Sequence, residues 1–257
     1  MFWTGVVEQA RDARVWAAVR AAAAQEHAAI SVRHAVLAAE RLLSGTGAGL
    51  SMSRDSGPRE PVLATGPPLI EELEELQFTL GQGPCGESVI AGGPILVPDL
   101  AEPEATGRWP VFAPAVVERG VRGMFTFPVA LGAAMVGVLS VYRAVPGPLT
   151  GGEINDGLAL ADIVLGLALD SRGGVAPDLD ALLDTAIVSR RAEVHQAAGA
   201  LAAQLGVSVA DALARLRAHA YLSGRRVSDV AADIMAGLLR LTFDGEDPRP
   251  PEGKEEG

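Results

Sequence analysis

The spacing of apolar residues divides the chain into a helical beginning, a middle of short apolar runs and a helical end. Residues 8–43 follow a helical pattern, with a break near Ser31. From residue 45 to 142, short apolar runs alternate with glycine and proline, which is typical of strands joined by turns. A further long helix is predicted over 153–169. Helices that flank about five or six strands predict an α+β domain with one antiparallel sheet.

The same pattern places the short elements of the middle region. The run from Gly123 to Tyr142 is uncharged over twenty residues and could also span a bilayer. Its glycines, Pro128 and a turn-like centre instead favour two buried strands around a tight turn. The predicted strands are 48–52, 62–64, 95–97, 125–130 and 135–142, and the predicted shorter helices are 69–76 and 115–119.

The C-terminal part has the spacing of three short helices. In the first, Ile187, Val194 and Leu201 recur every seven residues and form one apolar stripe. Gly206 should end this helix, since glycine adopts the left-handed conformation that other residues avoid.

The second and third helices have start and stop signals of their own. Ser208, with Asp211 three residues later, matches a capping box and begins the second helix, and Gly224 ends it. Helices this short are marginal alone, so the three must pack as a bundle. Ser228 is expected to begin the third helix, whose apolar residues are Val230, Ile234, Met235, Leu238 and Leu241.

Charge is distributed unevenly along the chain, whose formal net charge is −11. Residues 184–243 carry seven arginines and five acidic residues, a balance of +2, whereas residues 1–183 give −9 and residues 244–257 give −4. Of these segments, the C-terminal helices alone have a basic balance, which favours a polyanion site there. Residues 244–257 have no apolar anchor and are expected to form a disordered acidic tail.

The sequence gives no support for catalytic, metal-binding or disulfide chemistry. A single cysteine, Cys85, excludes an internal disulfide and a multi-cysteine metal site. The four histidines match no metal-binding spacing, and the acidic run Glu71–Glu75 is expected to be a solvated helix face. We therefore predict no catalytic residues, no metal and no cofactor. No secretory signal is visible at the start of the chain, so a cytoplasmic protein is expected.

Spaced residues in the C-terminal helices resemble a known family. The pattern A-x-G falls on Ala197 and Gly199, followed by A-L-x-x-L-R-x-x-A over 212–220 and V-x-x-V-A-x-x-I over 227–234. These residues resemble the ANTAR domain, a dimeric three-helix module that binds paired RNA hairpins and prevents transcription termination. The resemblance implies RNA binding and a homodimer.

The resemblance and side-chain chemistry together single out RNA-binding candidates. Arginine can bridge phosphates bidentately and stack on unpaired bases, which hairpin loops present. Arg217 matches the arginine of the family pattern, and Ala197 and Gly199 match its small residues, whose other role would be helix packing. Many members carry lysine between those two, where this chain has Ala198. The candidates are Arg190, Arg191, Ala197, Gly199, Arg217, Arg225 and Arg226.

The middle of the chain resembles a second family. Four segments are similar to a GAF sensor domain, in the form that actinobacteria fuse to ANTAR modules: LQFTLGQGPCGESVIAGGPILVPDL (76–100), RWPVFAP (108–114), GVRGMFTFPV (120–129) and GVLSVYR (137–143). GAF domains share the PAS fold and often hold a small ligand over the sheet. The resemblance implies such a pocket, for an unidentified small molecule, with Phe78, Trp109 and Phe112 as candidate walls. The other role of these aromatic residues is core packing.

The nature of the signal is left open. Cys85 lies in the glycine-rich segment 83–86, which would expose its sulfur, so a redox or thiol sensor is one hypothesis. Burial as a small apolar residue is the other. No phosphoacceptor receiver pattern precedes the C-terminal helices. A small molecule, a redox change or a partner is therefore the expected input.

Taken together, the two resemblances predict a signal-responsive antitermination regulator that binds paired RNA hairpins in a transcript leader. The alternative is a dimeric signalling protein with a DNA-binding or protein-binding output. In a DNA-binding helix-turn-helix, 206–208 would be the turn, but the following helix is largely apolar. The predicted domains are an N-terminal helical extension (1–29), a GAF-like sensor (30–170), a linker and connecting helix (171–183), an ANTAR domain (184–243) and the acidic tail (244–257).

Overall fold

The computed structural model describes residues 2–52, 60–172 and 186–241. The chain divides into two compact units, residues 1–187 and residues 188–257. The break near Ser31 separates the first two helices, as predicted. The elements of the first unit are α1 (Phe2–Glu26), α2 (Val32–Leu42), β1 (Gly47–Met52), β2 (Glu60–Thr65), α3 (Pro68–Leu80), α4 (Pro84–Ala91), β3 (Ile95–Val97), α5 (Pro103–Arg108), α6 (Phe112–Glu118), β4 (Gly123–Leu131), β5 (Ala134–Arg143) and α7 (Gly151–Arg172).

The strands form one five-stranded antiparallel sheet in the order β2–β1–β5–β4–β3. β1 lies between β2 and β5, so the first strand of the sheet is hydrogen-bonded to the last, with Leu50 opposite Leu139. β4 and β5 form a hairpin around a tight turn in which Gly132 has φ 61°. The predictions of an α+β unit with one antiparallel sheet, and of two strands over 123–142, are confirmed.

Side chains alternate between the two faces of the sheet, and helices cover both faces. Along β5, Leu139 and Val141 join the apolar cluster under α1, α2 and α7. Val138 and Tyr142 of the same strand join the cluster under α3 to α6. The sheet is therefore the middle of three layers, which explains why its strands are apolar on both sides.

α7 packs closely against the sheet at Gly157. A Cβ built on this glycine would lie 2.2 Å from the Cζ atom of Phe127 on β4. No side chain fits in that space, so the absence of a Cβ allows the helix to lie against the aromatic ring.

The sequence pattern misses two short helices, α4 and α5. Both begin at a proline, Pro84 and Pro103, a residue that fits the first turn of a helix because its missing N–H has no partner there. The glycines around Pro84 favour a turn in the sequence, and Gly83 does have a left-handed φ of 130°. The turn is thus real, but a helix follows it directly.

The C-terminal helices are α8 (Ala186–Leu205), α9 (Val209–Leu222) and α10 (Val227–Met235). All but the first two residues of α8 belong to the second unit. Gly206 and Gly224 follow α8 and α9 with left-handed φ values of 66° and 63°. The Ser208 hydroxyl accepts a hydrogen bond from the Asp211 N–H at 3.0 Å and caps α9. The predicted stop and capping signals are confirmed.

The third helix differs from its prediction at both ends. It begins at Val227, with Arg226 at the cap position, so Ser228 lies inside the first turn and is buried. It ends at Met235 because Gly237, with a left-handed φ of 72°, reverses the chain. Leu238, predicted on the apolar stripe, is 79% exposed instead.

Two predicted segments lie outside the described residues. They are the acidic tail and the linker from residue 173 onward. Within the described residues, no single helix has both the length and the apolar character to cross a membrane. One bent pair, Glu193–Leu205 with Val209–Leu222, meets that test on length and composition only.

Candidate functional sites

The helical module packs through small and aliphatic side chains. They recur at helical spacing on each helix, and the predicted stripe residues Val194 and Leu201 are both fully buried. Small residues let the helices approach closely. The buried apolar residues are Val194, Ala197, Ala198, Leu201 and Ala202 on α8, Ala212, Leu213, Leu216 and Ala220 on α9, and Val227, Val230 and Ala231 on α10.

The A-x-G pattern of α8 is divided between the inside and the outside of the module. Ala197 and Ala198 are fully buried, so both serve packing, and for Ala197 this favours the packing alternative. Position 198, where many family members carry lysine, faces the interior in this chain. Gly199 is half-buried, and a Cβ built on it would meet no atom within 4 Å. Packing in the described structure therefore gives no reason for glycine at position 199.

We expect Gly199→Ala to stabilise the module and to weaken RNA binding. Alanine removes the entropic cost of glycine inside a helix, about 0.5–1 kcal/mol, and its methyl group has open space. If RNA contacts Gly199, as predicted from the sequence, the same methyl group would hold it away from the helix. Thermal unfolding and a gel shift with hairpin RNA measure the two effects. Ala200→Gly at the neighbouring exposed position is the control, which should destabilise the helix without changing RNA affinity; unchanged affinity in Gly199→Ala would contradict the contact.

The arginine candidates differ in how their side chains are held. Arg225 pairs with Asp233, with Nη2 and Oδ2 2.7 Å apart. Arg226 is exposed and has no side-chain partner in the described part of the chain. Arg217 is half-buried, and burial lowers the pKa of its guanidinium, which still remains charged at neutral pH. Arg190 and Arg191 belong to α8, but their side chains lie outside the described structure.

The exposed face of α9 carries small apolar residues. Val209, Ala210, Ala214 and Ala218 are all exposed on it. The axes of α8 and α9 bend by 110° at their turn, an angle also found in helix-turn-helix proteins. A recognition helix, however, needs polar side chains to read base edges. The composition of this face therefore disfavours the DNA-binding alternative.

One exposed segment of the module was not predicted from the sequence. Residues 221–226, the last two residues of α9 and the turn that follows them, are exposed without interruption. We call this whole segment the α9–α10 turn. It includes Tyr221, 45% exposed, and Leu222, 84% exposed. The sequence could have predicted this exposure, because both residues lie outside the buried stripe formed by Leu216 and Ala220.

The predicted walls of a ligand pocket are core residues. Phe78 and Trp109 are each 5% exposed, and Phe112 is fully buried. Trp109 and Phe112 belong to the apolar cluster under α3 to α6. The Arg108 guanidinium lies 4.4 Å from the centroid of the Trp109 ring and also pairs with Glu87. These positions favour the core-packing role.

A hydrogen-bonded polar cluster is buried on the same face of the sheet. The Tyr142 hydroxyl donates to Glu74 Oε1 at 2.7 Å and accepts from Gln77 Nε2 at 3.0 Å. Ser51 Oγ donates to the other Glu74 oxygen at 2.8 Å. Gln77 Oε1 accepts from the Cys85 N–H at 3.1 Å. The polar cluster comprises Ser51, Glu74, Gln77, Cys85, Ser140 and Tyr142, all buried.

Two members of the polar cluster bear on the sequence predictions. The prediction that Glu74 lies on a solvated face is wrong: it is 1% exposed, whereas Glu71 and Glu72 are exposed. The helical spacing could have predicted this burial, because Glu74 lies one helical turn after the buried Ile70 and therefore on the same side of the helix. Cys85 is 7% exposed with its sulfur 3.0 Å from Ser140 Oγ, which favours burial over ready access to oxidants.

Tyr142 should make folding sensitive to alkaline pH. Burial raises the pKa of its hydroxyl well above the ordinary value of 10.0, and the Glu74 carboxylate raises it further. Unfolded Tyr142 ionises near the ordinary value while folded Tyr142 keeps its proton, so its contribution is complete below about pH 10 and is lost above it. We expect the free energy of unfolding in urea to fall less steeply above about pH 10 in Tyr142→Phe. Identical pH profiles for Tyr142→Phe and the unchanged chain would contradict the assignment.

A groove lies elsewhere in the first unit, between α1 and α7. These two helices cover the face of the sheet opposite the polar cluster. In the described residues, no three His, Cys, Asp or Glu side chains are grouped so as to hold a metal ion. The groove has a volume of about 310 Å³ and is lined by Asp12, Trp16, Ala159, Asp162, Ile163, Gly166, Leu167 and Asp170.

Comparison with known proteins assigns the C-terminal part of the chain to a domain type. The family model of the ANTAR domain matches residues 184–235, which include all of α8, α9 and α10. The predicted ANTAR domain is thereby confirmed. Among curated proteins, no match to the chain was found.

Solved structures similar to the chain cover its N-terminal part. The GAF domain of a phosphoenolpyruvate-protein phosphotransferase (ptsP) from Coxiella burnetii is 15% identical, with 64% of this chain and 98% of that chain covered and a TM-score of 0.45. GAF3 from Slr1393 of Synechocystis sp. PCC6803 is 18% identical, with 58% and 96% covered and a TM-score of 0.43. Free methionine-R-sulfoxide reductase from Neisseria meningitidis is 17% identical, with 56% and 79% covered and a TM-score of 0.41. The domain type that the comparisons assign to this chain is the ANTAR domain at residues 184–235.

Proposed function

We propose that this protein is a signal-responsive regulator of transcription antitermination, whose ANTAR domain binds paired RNA hairpins in a transcript leader. The match of residues 184–235 to the ANTAR family carries the proposal. The positive balance of residues 184–243, in a chain of net charge −11, supports it. The proposal includes a cytoplasmic location, because bacterial transcription takes place in the cytoplasm.

The surface of the module supports an RNA ligand. Arg225 and Arg226 are exposed next to each other, and Arg217 is half-exposed on α9. A guanidinium binds phosphate bidentately and stacks on bases, and hairpin loops present both. Four exposed residues of α9, Val209, Ala210, Ala214 and Ala218, have no side-chain polar group for the edges of duplex DNA. RNA hairpins therefore fit the available side chains better than a DNA duplex.

A homodimer and a sensory role for the GAF-like domain complete the proposal. Two hairpins in one transcript call for two copies of the module, which a homodimer supplies. A small molecule, a redox change or a partner would act on the GAF-like domain. Such a signal can change the output only by binding two states of the protein with different affinity.

Replacing Arg217, Arg225 and Arg226 with alanine should weaken RNA binding and reduce its salt dependence. Each phosphate contact releases counterions when RNA binds, so the variant releases fewer. The loss of three contacts should reduce the steepness of the plot of log affinity against log salt concentration by about 2–3. A gel shift over a series of salt concentrations, with an RNA of two adjacent hairpins, measures both effects. Light scattering of the same complexes should give two chains per hairpin pair.

Charge loss at exposed arginines of the first unit is the matched control. Arg20, Arg41 and Arg119 are all exposed, and their triple alanine variant removes the same charge without touching the module. Because Arg217 is half-buried, the double variant at 225 and 226 separates lost contacts from altered packing. A triple variant that binds as tightly as the unchanged chain would exclude these arginines from the site. An unchanged chain that binds no hairpin RNA would refute the proposed function.

A further inference from the structure

The α9–α10 turn exposes large apolar side chains that the module's packing does not use. Tyr221 is 45% exposed and Leu222 is 84% exposed, whereas the preceding Ala220 is fully buried. Adjacent exposed apolar side chains of this size point to contact with another molecule. Tyr221 also brings an aromatic ring that is rigid and can stack on a planar group.

Hydrogen bonds hold the α9–α10 turn in a defined shape. The N–H of Arg225 donates to the carbonyl of Ala220 at 2.9 Å, and the N–H of Gly224 donates to the carbonyl of Tyr221 at 3.1 Å. Gly224 supplies the left-handed conformation, with φ 63°, that the turn requires. A surface that is ordered before binding loses little conformational entropy when a ligand arrives.

Positive charge follows the aromatic ring along the same turn. The Arg225 side chain is held by Asp233, with Nη2 2.7 Å from Oδ2. Arg226 is exposed and has no side-chain partner within the described residues. One turn therefore combines a stacking ring with a guanidinium that is available for a phosphate.

We propose that Tyr221 stacks on an unpaired base of an RNA hairpin loop while Arg226 contacts a phosphate of the same loop. The inference rests on the proposed function and names the part of the RNA that this turn binds. A loop base that has left the helical stack presents a free π face, which aromatic side chains recognise. A paired stem offers phosphates but no free base face. The combination of ring and guanidinium thus indicates the loop.

A second copy of this chain is the competing occupant of the turn. In a symmetric dimer, the same patch on both copies meets. Contact through Tyr221 and Leu222 would then bring the adjacent Arg225 and Arg226 of two copies towards each other. Like charges at an interface are costly, whereas RNA supplies the opposite charge. The charges of the turn therefore favour RNA.

The test uses the full chain and an RNA with two adjacent hairpins, each with an unpaired loop. Tyr221→Ala should weaken binding about 5- to 150-fold, the range that stacking on one base supplies. Tyr221→Phe should keep the affinity, because it keeps the ring. The salt slope should be unchanged in Tyr221→Ala and should fall by about 0.7 in Arg226→Ala. On a second RNA with abasic loop nucleotides, Tyr221→Ala and the unchanged chain should bind equally.

Each other outcome overturns the inference in a distinguishable way. Equal binding of Tyr221→Ala and the unchanged chain to the intact RNA excludes stacking and leaves the proposed function in place. The same loss on the abasic RNA shows that the ring does not contact a base. Loss of dimerisation in Tyr221→Ala, seen by light scattering, assigns the turn to a second copy. If the unchanged chain binds neither RNA, the proposed function fails and the inference fails with it; circular dichroism checks that each variant is folded.

Discussion

Phe127→Ala should lower the free energy of unfolding of the N-terminal unit by about 3–5 kcal/mol. Phe127 is fully buried on β4 and belongs to the cluster under α1, α2 and α7. Its ring occupies the space beside Gly157, where a Cβ would lie only 2.2 Å away. Removal of the ring leaves a cavity that a glycine has no side chain to fill. We therefore expect a loss in the upper part of the range.

Leu131→Ala is the matched control for Phe127→Ala. Leu131 lies at the end of the same strand but is 54% exposed, so its truncation should change the free energy of unfolding by only about 0.5 kcal/mol. Urea unfolding of the full chain, followed by circular dichroism, measures both variants. A loss in Phe127→Ala no larger than in Leu131→Ala would mean that the ring does not support α7 as the structure indicates.

Glu74→Ala should cost about 2–5 kcal/mol of folding free energy, mainly through the groups that it leaves without an acceptor. Both oxygens of Glu74 accept hydrogen bonds, one from Ser51 and one from Tyr142. Those hydroxyl groups are buried, and a buried donor that loses its acceptor costs about 1–3 kcal/mol. The cavity left by the side chain adds to the loss.

Two further variants show whether the polar cluster is the cause. Glu71→Ala changes an exposed residue one turn earlier on the same helix and should have little effect. The double variant Glu74→Ala/Tyr142→Phe removes one stranded hydroxyl and should be more stable than the sum of the single changes implies. Additive changes would show that the two residues are not coupled, contrary to the 2.7 Å hydrogen bond between them.

Much of the fold could be predicted because local patterns and tertiary packing agree. The strands of the hairpin are apolar on both faces, and Gly132 marks the turn between them. In the module, Gly206 and Ser208 end one helix and begin the next by local hydrogen bonding alone. α4 could not be predicted in this way, because glycines and Pro84 also suit an irregular turn.

The candidate sites were less predictable, since their properties depend on residues far apart in the sequence. Glu74 is buried because strands β1 and β5 bring Ser51 and Tyr142 to it. Arg225 and Arg226 are equivalent candidates in the sequence, but in the structure Asp233 forms an ion pair with Arg225 and not with Arg226. The exposed Tyr221 shows the limit of motif matching, because the family pattern contains no aromatic residue to look for.

The sheet order has a consequence for how the chain is made. β1 hydrogen-bonds to β5, and α7 covers the same sheet face as α1 and α2. The first elements of the unit therefore cannot complete their pairing and packing until the last elements are present. On the ribosome, Leu50 emerges long before its neighbour Leu139 has been synthesised. The N-terminal unit can therefore complete its core only after residue 172, and the nascent chain exposes apolar surface until then. A chain truncated before residue 151 lacks the helix that closes the sheet, so such products should be degraded or should aggregate rather than accumulate as a folded unit.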